Sequence, residues 1–221
     1  MVLTRELLEA GGMLRMIAES SPGLRMLTAD ERAASLAQTL ASRPPGTDGV
    51  WVFAYGSLIW NPAIHVQERR VARIHGWHRR FCLSTIAGRG TPEAPGLVLG
   101  LDRGGACAGA AFRIAESTMQ QELSLLWQRE MLSGSYQPRW VPVRGPGGVP
   151  FAQAISFMIR RDGPYYTGPL TKAELVRRLA TARGALGSSA EYLFRTRDGL
   201  RSLGLRDRHV EALATAVEAW T

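Results

Sequence analysis

Cysteine is scarce in this chain: Cys82 and Cys107 are the only two among 221 residues. They are too few for a disulfide framework and have no C-x-x-C spacing for zinc or redox chemistry. Lysine is scarcer still, with Lys172 alone, so the formal charge of +8 and the pI near 10.4 come from arginine. A positive balance suits phosphates, but these arginines come as scattered pairs, Arg69-Arg70, Arg79-Arg80, Arg160-Arg161 and Arg177-Arg178. No basic run of about five to eight residues is present, and no nucleic-acid partner is expected. Long apolar runs are also missing. Nothing approaches the roughly eighteen residues of a membrane span, and Arg5, Glu6, Glu9 and Arg15 stand where a signal peptide needs apolar residues. A reducing, cytoplasmic location away from membranes is expected, and no feature fixes an oligomeric state.

With 45% apolar residues the chain can bury a real core. Residues 1 to about 41 read as two helices, the second opened by the capping box Thr28-x-x-Glu31. A Pro/Gly-rich linker over Ser42–Gly49 follows. From Val50 to about Ile159 the signals are mostly strand-like: Val50–Ala54, Val71–Ile74, Arg80–Thr85, Leu97–Asp102, Ala108–Ile114, Trp140–Arg144 and Phe151–Ile159. Gly145-Pro146-Gly147-Gly148 joins the last two as a hairpin. Short strands with glycine-rich turns favour an antiparallel, barrel-like sheet. One helix interrupts them, from a capping box at Ser117-x-x-Gln120 to about Met131. After Pro164 the chain turns helical, with starts at Thr171-x-x-Glu174 and Ser188-x-x-Glu191 and a last helix over Arg206–Trp220.

Two features carry chemistry. In Val52–Trp60 an apolar strand stops at Tyr55-Gly56-Ser57-Leu58 and then resumes. Gly56 lets a ligand approach the main chain and Ser57 adds a hydroxyl, a combination suited to an anion or carbonyl, although an empty tight turn has the same composition. The second feature lies on the interrupting helix. At about 100° per residue, Met119, Leu123, Leu126 and Trp127 fall near 0°, 40°, 340° and 80°, and Glu130 falls near 20°, inside that apolar stripe. A carboxylate there must be paired, solvated by a cavity, or carried with a raised pKa. Near the helix end it can also curl to solvent or pair with Arg129. If it projects beside the Tyr55–Leu58 turn, a tunable base stands next to a carbonyl cradle.

Other candidates are weaker. Ser57 lacks the second glycine of G-x-S-x-G and a marked His/Asp pair, so it reads as a binding residue and not a nucleophile. His75 and His78 lack a third ligand. Cys82 reads as core. Gly88–Gly96 is a rigid loop displaying Arg89 and Glu93, either a lid or a connection. Tyr136 and Tyr166 are amphipathic aromatics for which plain packing suffices.

Phe53-Ala54-Tyr55-Gly56-Ser57-Leu58-Ile59-Trp60, Arg89-Gly90-Thr91-Pro92-Glu93, Trp127-Gln128-Arg129-Glu130-Met131, Gly134-Ser135-Tyr136 and Gly187-Ser188-Ser189-Ala190-Glu191-Tyr192-Leu193, in that order, resemble the bacterial branch of the ChaC family. Those proteins are glutathione-specific γ-glutamylcyclotransferases. The resemblance covers roughly residues 50 to 217. It implies an α+β fold, a small mixed β-barrel with surrounding helices. The chain then divides into a helical extension and linker (1–45) and a catalytic domain (46–221). It implies Glu130 as the catalytic glutamate, Tyr55, Gly56, Ser57 and Leu58 as the substrate loop, and Tyr136 as a further substrate-binding residue. Glutathione is the implied substrate, and no cofactor or metal is implied. Two departures stand out: Ala54 where glycine is more usual, and Asn61-Pro62-Ala63-Ile64 in place of the more frequent Lys-Pro-Gly-Phe.

Overall fold

The computed structural model describes residues 3–45 and 49–220. Gly46–Asp48, in the expected linker, lie outside the described residues, as do Met1, Val2 and Thr221. Five long strands close into a barrel: β1 (Val50–Ala54), β2 (Glu68–Thr85), β3 (Gly96–Ile114), β4 (Tyr136–Arg144) and β5 (Pro150–Ile159). β2 and β3 form one long antiparallel hairpin in which the four short strands expected from sequence have merged in pairs. Glycines that read as strand breaks are bulge and turn positions inside the ladder. Gly76, at φ +82°, marks a register shift between His75 and Trp77, opposite Gly104 and Gly105, also at positive φ.

β1 is buried along its whole length, and both of its edges are paired. It runs antiparallel to β3, with Ala54 opposite Ala110, and parallel to β5, with Val52 opposite Ile155. β3 also meets β5 in parallel at Leu101 and Met158. The barrel is therefore mixed, as the family resemblance implied, and not the antiparallel sheet expected from the strand pattern alone. Hydrophobic periodicity reports which face of a strand is buried and not the direction of its neighbour.

The first helical segment contains three helices, not two: α1 (Arg5–Glu9), α2 (Gly12–Ser20) and α3 (Ala29–Ala41). Gly11, at φ +64°, breaks the first from the second. Thr28 and Glu31 form the complete expected capping box on α3. The interrupting helix is α4 (Met119–Glu130), and its expected Ser117 box is absent. A 3-10 turn over Glu116–Thr118 leads straight into it, and Thr118 makes no side-chain cap. Behind the barrel come α5 (Lys172–Thr181), α6 (Ser189–Ser202) and α7 (Arg208–Glu218). Thr171 and Ser188 cap α5 and α6 as expected, while Asp207 caps α7 through two backbone amides.

α4 buries Leu123, Leu126 and Trp127 against the barrel, with Trp127 packed edge-on to Phe157 at 5.2 Å. It is fastened on its other side by the N-terminal helices. Arg5 makes a two-pronged ion pair with Glu122 at 2.7 and 3.0 Å, Ser35 accepts from the Trp127 indole, and the Thr39 carbonyl accepts from the Trp140 indole. The Glu122 side chain is only 1% exposed. Burial alone would raise its carboxyl pKa, but hydrogen bonds from Arg5 and the His65 amide, together with their charges, bring it below the ordinary glutamate value.

Ala63 sits at φ +53° and is the one non-glycine residue at positive φ among the described residues. It occupies the position where the family more often has glycine. The Cβ makes the left-handed conformation costly, and glycine removes that cost at the expense of chain entropy when unfolded. Ala63→Gly is expected to raise the urea midpoint, corresponding to about 0.5–1 kcal/mol. An unchanged or lowered midpoint would contradict this account of the turn.

Candidate active site

β1 ends at Ala54, and the chain passes through Tyr55 and Gly56 into a one-turn 3-10 helix, Ser57–Ile59. Its shape follows from close packing on glycine. A methyl group at Gly56 would lie 2.7 Å from the Tyr192 hydroxyl, closer than van der Waals contact allows. Two arginines hold the turn from different sides. Arg79 of β2, itself buried, donates from Nε to the Tyr55 carbonyl at 3.0 Å and pairs with Asp207 at 2.7 Å. Arg129 of α4 donates to the Ser57 hydroxyl oxygen at 2.9 Å and to the carbonyls of Asn61 and Pro62.

The Nε of Arg129 also meets a Glu130 carboxylate oxygen at 3.0 Å, with the two side chains 7% and 13% exposed. Two of the alternatives raised for Glu130 are thus realised together: it pairs with Arg129, and it lines a cavity. That cavity has a volume of about 200 Å³. Ser57, Arg129, Glu130, Tyr136 and Tyr192 share its wall. Burial pushes the Glu130 carboxyl above its ordinary value, against the charge and hydrogen bond of Arg129. The same burial raises Tyr55 and Tyr136 well above the usual phenol range, and Tyr192 to about 12. One carboxyl shifted toward neutrality is therefore surrounded by phenols that stay protonated and uncharged. Tyr136 donates to the Leu99 carbonyl at 2.7 Å and Tyr55 to that of Phe157 at 2.9 Å.

Of the six residues expected in the site, Glu130, Ser57 and Tyr136 line the cavity. Tyr55, Gly56 and Leu58 lie behind it, all buried, and shape the turn. Ser57 accepts from a guanidinium, a partner that cannot remove its proton, so the geometry offers it no activation as a nucleophile. His78 hydrogen-bonds the Gly104 carbonyl. Among the described residues no group of three or more His, Cys, Asp or Glu is arranged to hold a metal ion. Cys82 is fully buried, its thiol pushed up to about 12 by burial.

Tyr192 and Arg195 carry no assigned role in the sequence, Arg129 is expected there only as a partner that neutralises Glu130, and Arg89 only as a residue displayed on the Gly88–Gly96 loop. Arg89 and Arg195 line the cavity and share Glu191, at 2.7 and 2.9 Å, and Arg195 also covers the Trp60 ring. The pairing of Glu191 with the Ser188 cap was the available signal, since it places Tyr192 and Arg195 in the first two turns of α6. Leu3, Met13, Ile17 and Leu24 also reach the cavity from the N-terminal segment.

Known proteins resemble this chain over most of its length. A chain from Escherichia coli (strain K12) named glutathione-specific gamma-glutamylcyclotransferase is 44% identical over 192 residues, covering 86% of this chain and 82% of that one. A Danio rerio protein, glutathione-specific gamma-glutamylcyclotransferase 1, is 34% identical over 160 residues, 71% of this chain and 81% of the other. Among solved structures, a gamma-glutamyl cyclotransferase specific to glutathione from yeast superposes with a TM-score of 0.71 at 24% identity. It covers 78% of this chain and 96% of its own, a likeness of fold. The sequence model of the ChaC-like proteins matches residues 50–220. With that match spanning the barrel, α4 and the C-terminal helices, the chain belongs to the ChaC family.

Proposed function

We propose that this protein is a glutathione-specific γ-glutamylcyclotransferase that converts glutathione to 5-oxoproline and cysteinylglycine. The observation that carries the reading is the buried carboxyl of Glu130, raised by its surroundings and opening on a cavity beside the Ser57 turn. The 44% identity to the E. coli protein of that name supports the substrate. The reaction demands little of the protein beyond folding the substrate and moving protons from the attacking to the leaving nitrogen. The γ-glutamyl group carries its own amine, and holding it curled brings that amine onto the γ-carbonyl to close a five-membered ring.

Glu130 as carboxylate takes a proton from the α-ammonium group, and the amine attacks the γ-carbonyl carbon. Glu130 then returns the proton to the cysteinyl nitrogen as the old amide bond breaks, and the second proton lost by the ring nitrogen passes to the departing amine, which leaves as its ammonium form. Water is neither consumed nor released, so a shielded site is an advantage. The Ser57 hydroxyl and the leading amides of its turn are suited to the carbonyl oxygen as it gains charge. Tyr55, Gly56 and Leu58 hold that turn in place, and Tyr136, whose proton is engaged by the Leu99 carbonyl, presents its phenol oxygen as an acceptor at the glutamyl end. Arg89 and Arg195, half neutralised by Glu191, suit the negative charge at the glycine end of the tripeptide. The two buried thiols are consistent with a reducing cytoplasm.

Glu130→Gln keeps the volume and hydrogen-bonding shape but cannot carry the proton. 5-Oxoproline release from glutathione is expected to fall by about 10²–10⁴-fold in kcat, with circular dichroism unchanged. A folded variant that keeps its rate would remove Glu130 from the mechanism.

The pH dependence has a defined sign. The working form of Glu130 is the carboxylate and its pKa is raised in the free protein, so the acid limb of kcat/KM is expected above the ordinary glutamate range. Activity is present above that limb and lost as pH falls through it. Removing the Arg129 charge removes what holds the pKa down, so Arg129→Met is expected to move the limb to higher pH. A limb that stays put or moves down in that variant would contradict the assignment, whatever happens to the rate.

A further inference from the structure

The family match begins at residue 50, yet four apolar side chains of the cavity come from before it: Leu3, Met13, Ile17 and Leu24. Their positions are fixed by polar anchors. The Leu3 carbonyl accepts from the Asn61 side chain at 2.8 Å, and the Asn61 carbonyl is one of the acceptors of Arg129. Leu3 is thereby tied to the Glu130 end of the cavity. Ile17 lies at the other end: a Cβ on Gly88 would touch both Leu186 and Ile17, and Gly88 precedes Arg89. Ser21, buried at the end of α2, donates to the Ile86 carbonyl at 2.8 Å and pins that helix to the same loop. Arg5 and its buried partner Glu122 lock α1 to the helix that bears Glu130. The wall thus runs from the reacting carboxyl to the arginine pair.

A substrate held with its γ-glutamyl group at Glu130 and its glycine carboxylate at Arg89 and Arg195 has the cysteinyl residue between them, alongside this wall. The cysteine side chain offers one methylene and one sulfur, whereas the wall offers four aliphatic or thioether side chains, extended by Leu186. We propose that the N-terminal wall is a subsite for substituents on the glutathione sulfur, and that S-alkylated glutathione (glutathione thioethers) is a further substrate class. The inference rests on the γ-glutamylcyclotransferase reading above. The chemistry is unchanged: the γ-amide C–N bond breaks, the ring C–N bond forms, and the thioether leaves intact on cysteinylglycine. No oxidant, reductant or water enters.

The test uses the full chain and follows 5-oxoproline release from glutathione and from S-methyl-, S-butyl- and S-hexylglutathione. The expected result is turnover of all four, with KM falling roughly threefold per added methylene while the chain lies on the wall. Met13→Gln and Ile17→Asn are each expected to lower the kcat/KM ratio of S-hexylglutathione to glutathione at least tenfold, through KM. Leu24→Gln, at a half-buried position, serves the same purpose if either core variant does not fold. Rejection of S-hexylglutathione by more than a hundredfold while glutathione is turned over would overturn the proposal and leave the cyclotransferase reading standing. An unchanged ratio in the folded variants would overturn it too, assigning the wall a packing role. Failure of all four substrates would overturn both readings.

Discussion

The guanidinium of Arg129 is the group on which the site depends. It binds the Glu130 carboxylate, the Ser57 hydroxyl and the carbonyls of Asn61 and Pro62 from one almost buried position. A planar fork with five donors can serve that many acceptors at once, which an ammonium group cannot do with fixed geometry. The arrangement also sets the charge balance. A bare buried carboxylate would simply stay protonated and a tightly neutralised one would lose its basicity. Here burial and the Arg129 charge oppose one another, and burial prevails. The result is a carboxyl able both to accept and to return a proton.

A second buried arginine completes the frame. Arg79 holds the Tyr55 carbonyl and reaches Asp207, the cap of α7, so the turn is fastened to β2 and the C-terminal helix as well as to α4. The N-terminal helices fasten α4 from the far side through the ion pair of Arg5 and Glu122. Breaking a buried pair of this kind by removing one partner costs about 3–5 kcal/mol. The turn, the Glu130 carboxyl and the cavity wall are therefore positioned by charged groups buried at the seams between elements, while the barrel supplies the rigid background.

That division explains what the sequence revealed. The apolar stripe of α4 identified Glu130, because a carboxylate among Leu123, Leu126 and Trp127 is conspicuous on a helical projection. The same projection puts Arg129 about 100° away from Glu130, since adjacent residues on a helix do not face one another. The two side chains converge only because α4 ends at Glu130 and both bend into the cavity. Capping residues at Thr28, Thr171 and Ser188 were legible because caps are local chemistry. Barrel closure, the parallel pairing of β1 with β5 and the contact of Arg5 with Glu122 join residues far apart in the chain, for which no local pattern exists. The break between α1 and α2 falls at Gly11-Gly12, where Gly11 takes a positive φ.

The central claim is that Glu130 is a carboxyl with a raised pKa, held by Arg129 and ready to carry the proton. It is tested most directly by infrared difference spectroscopy of the unliganded protein across a pH titration, with the Glu130→Gln variant subtracted. The account requires a protonated-carboxyl band, absent from the variant, that converts to carboxylate above the ordinary glutamate range. A Glu130 signal that is already fully carboxylate within or below that range would contradict it.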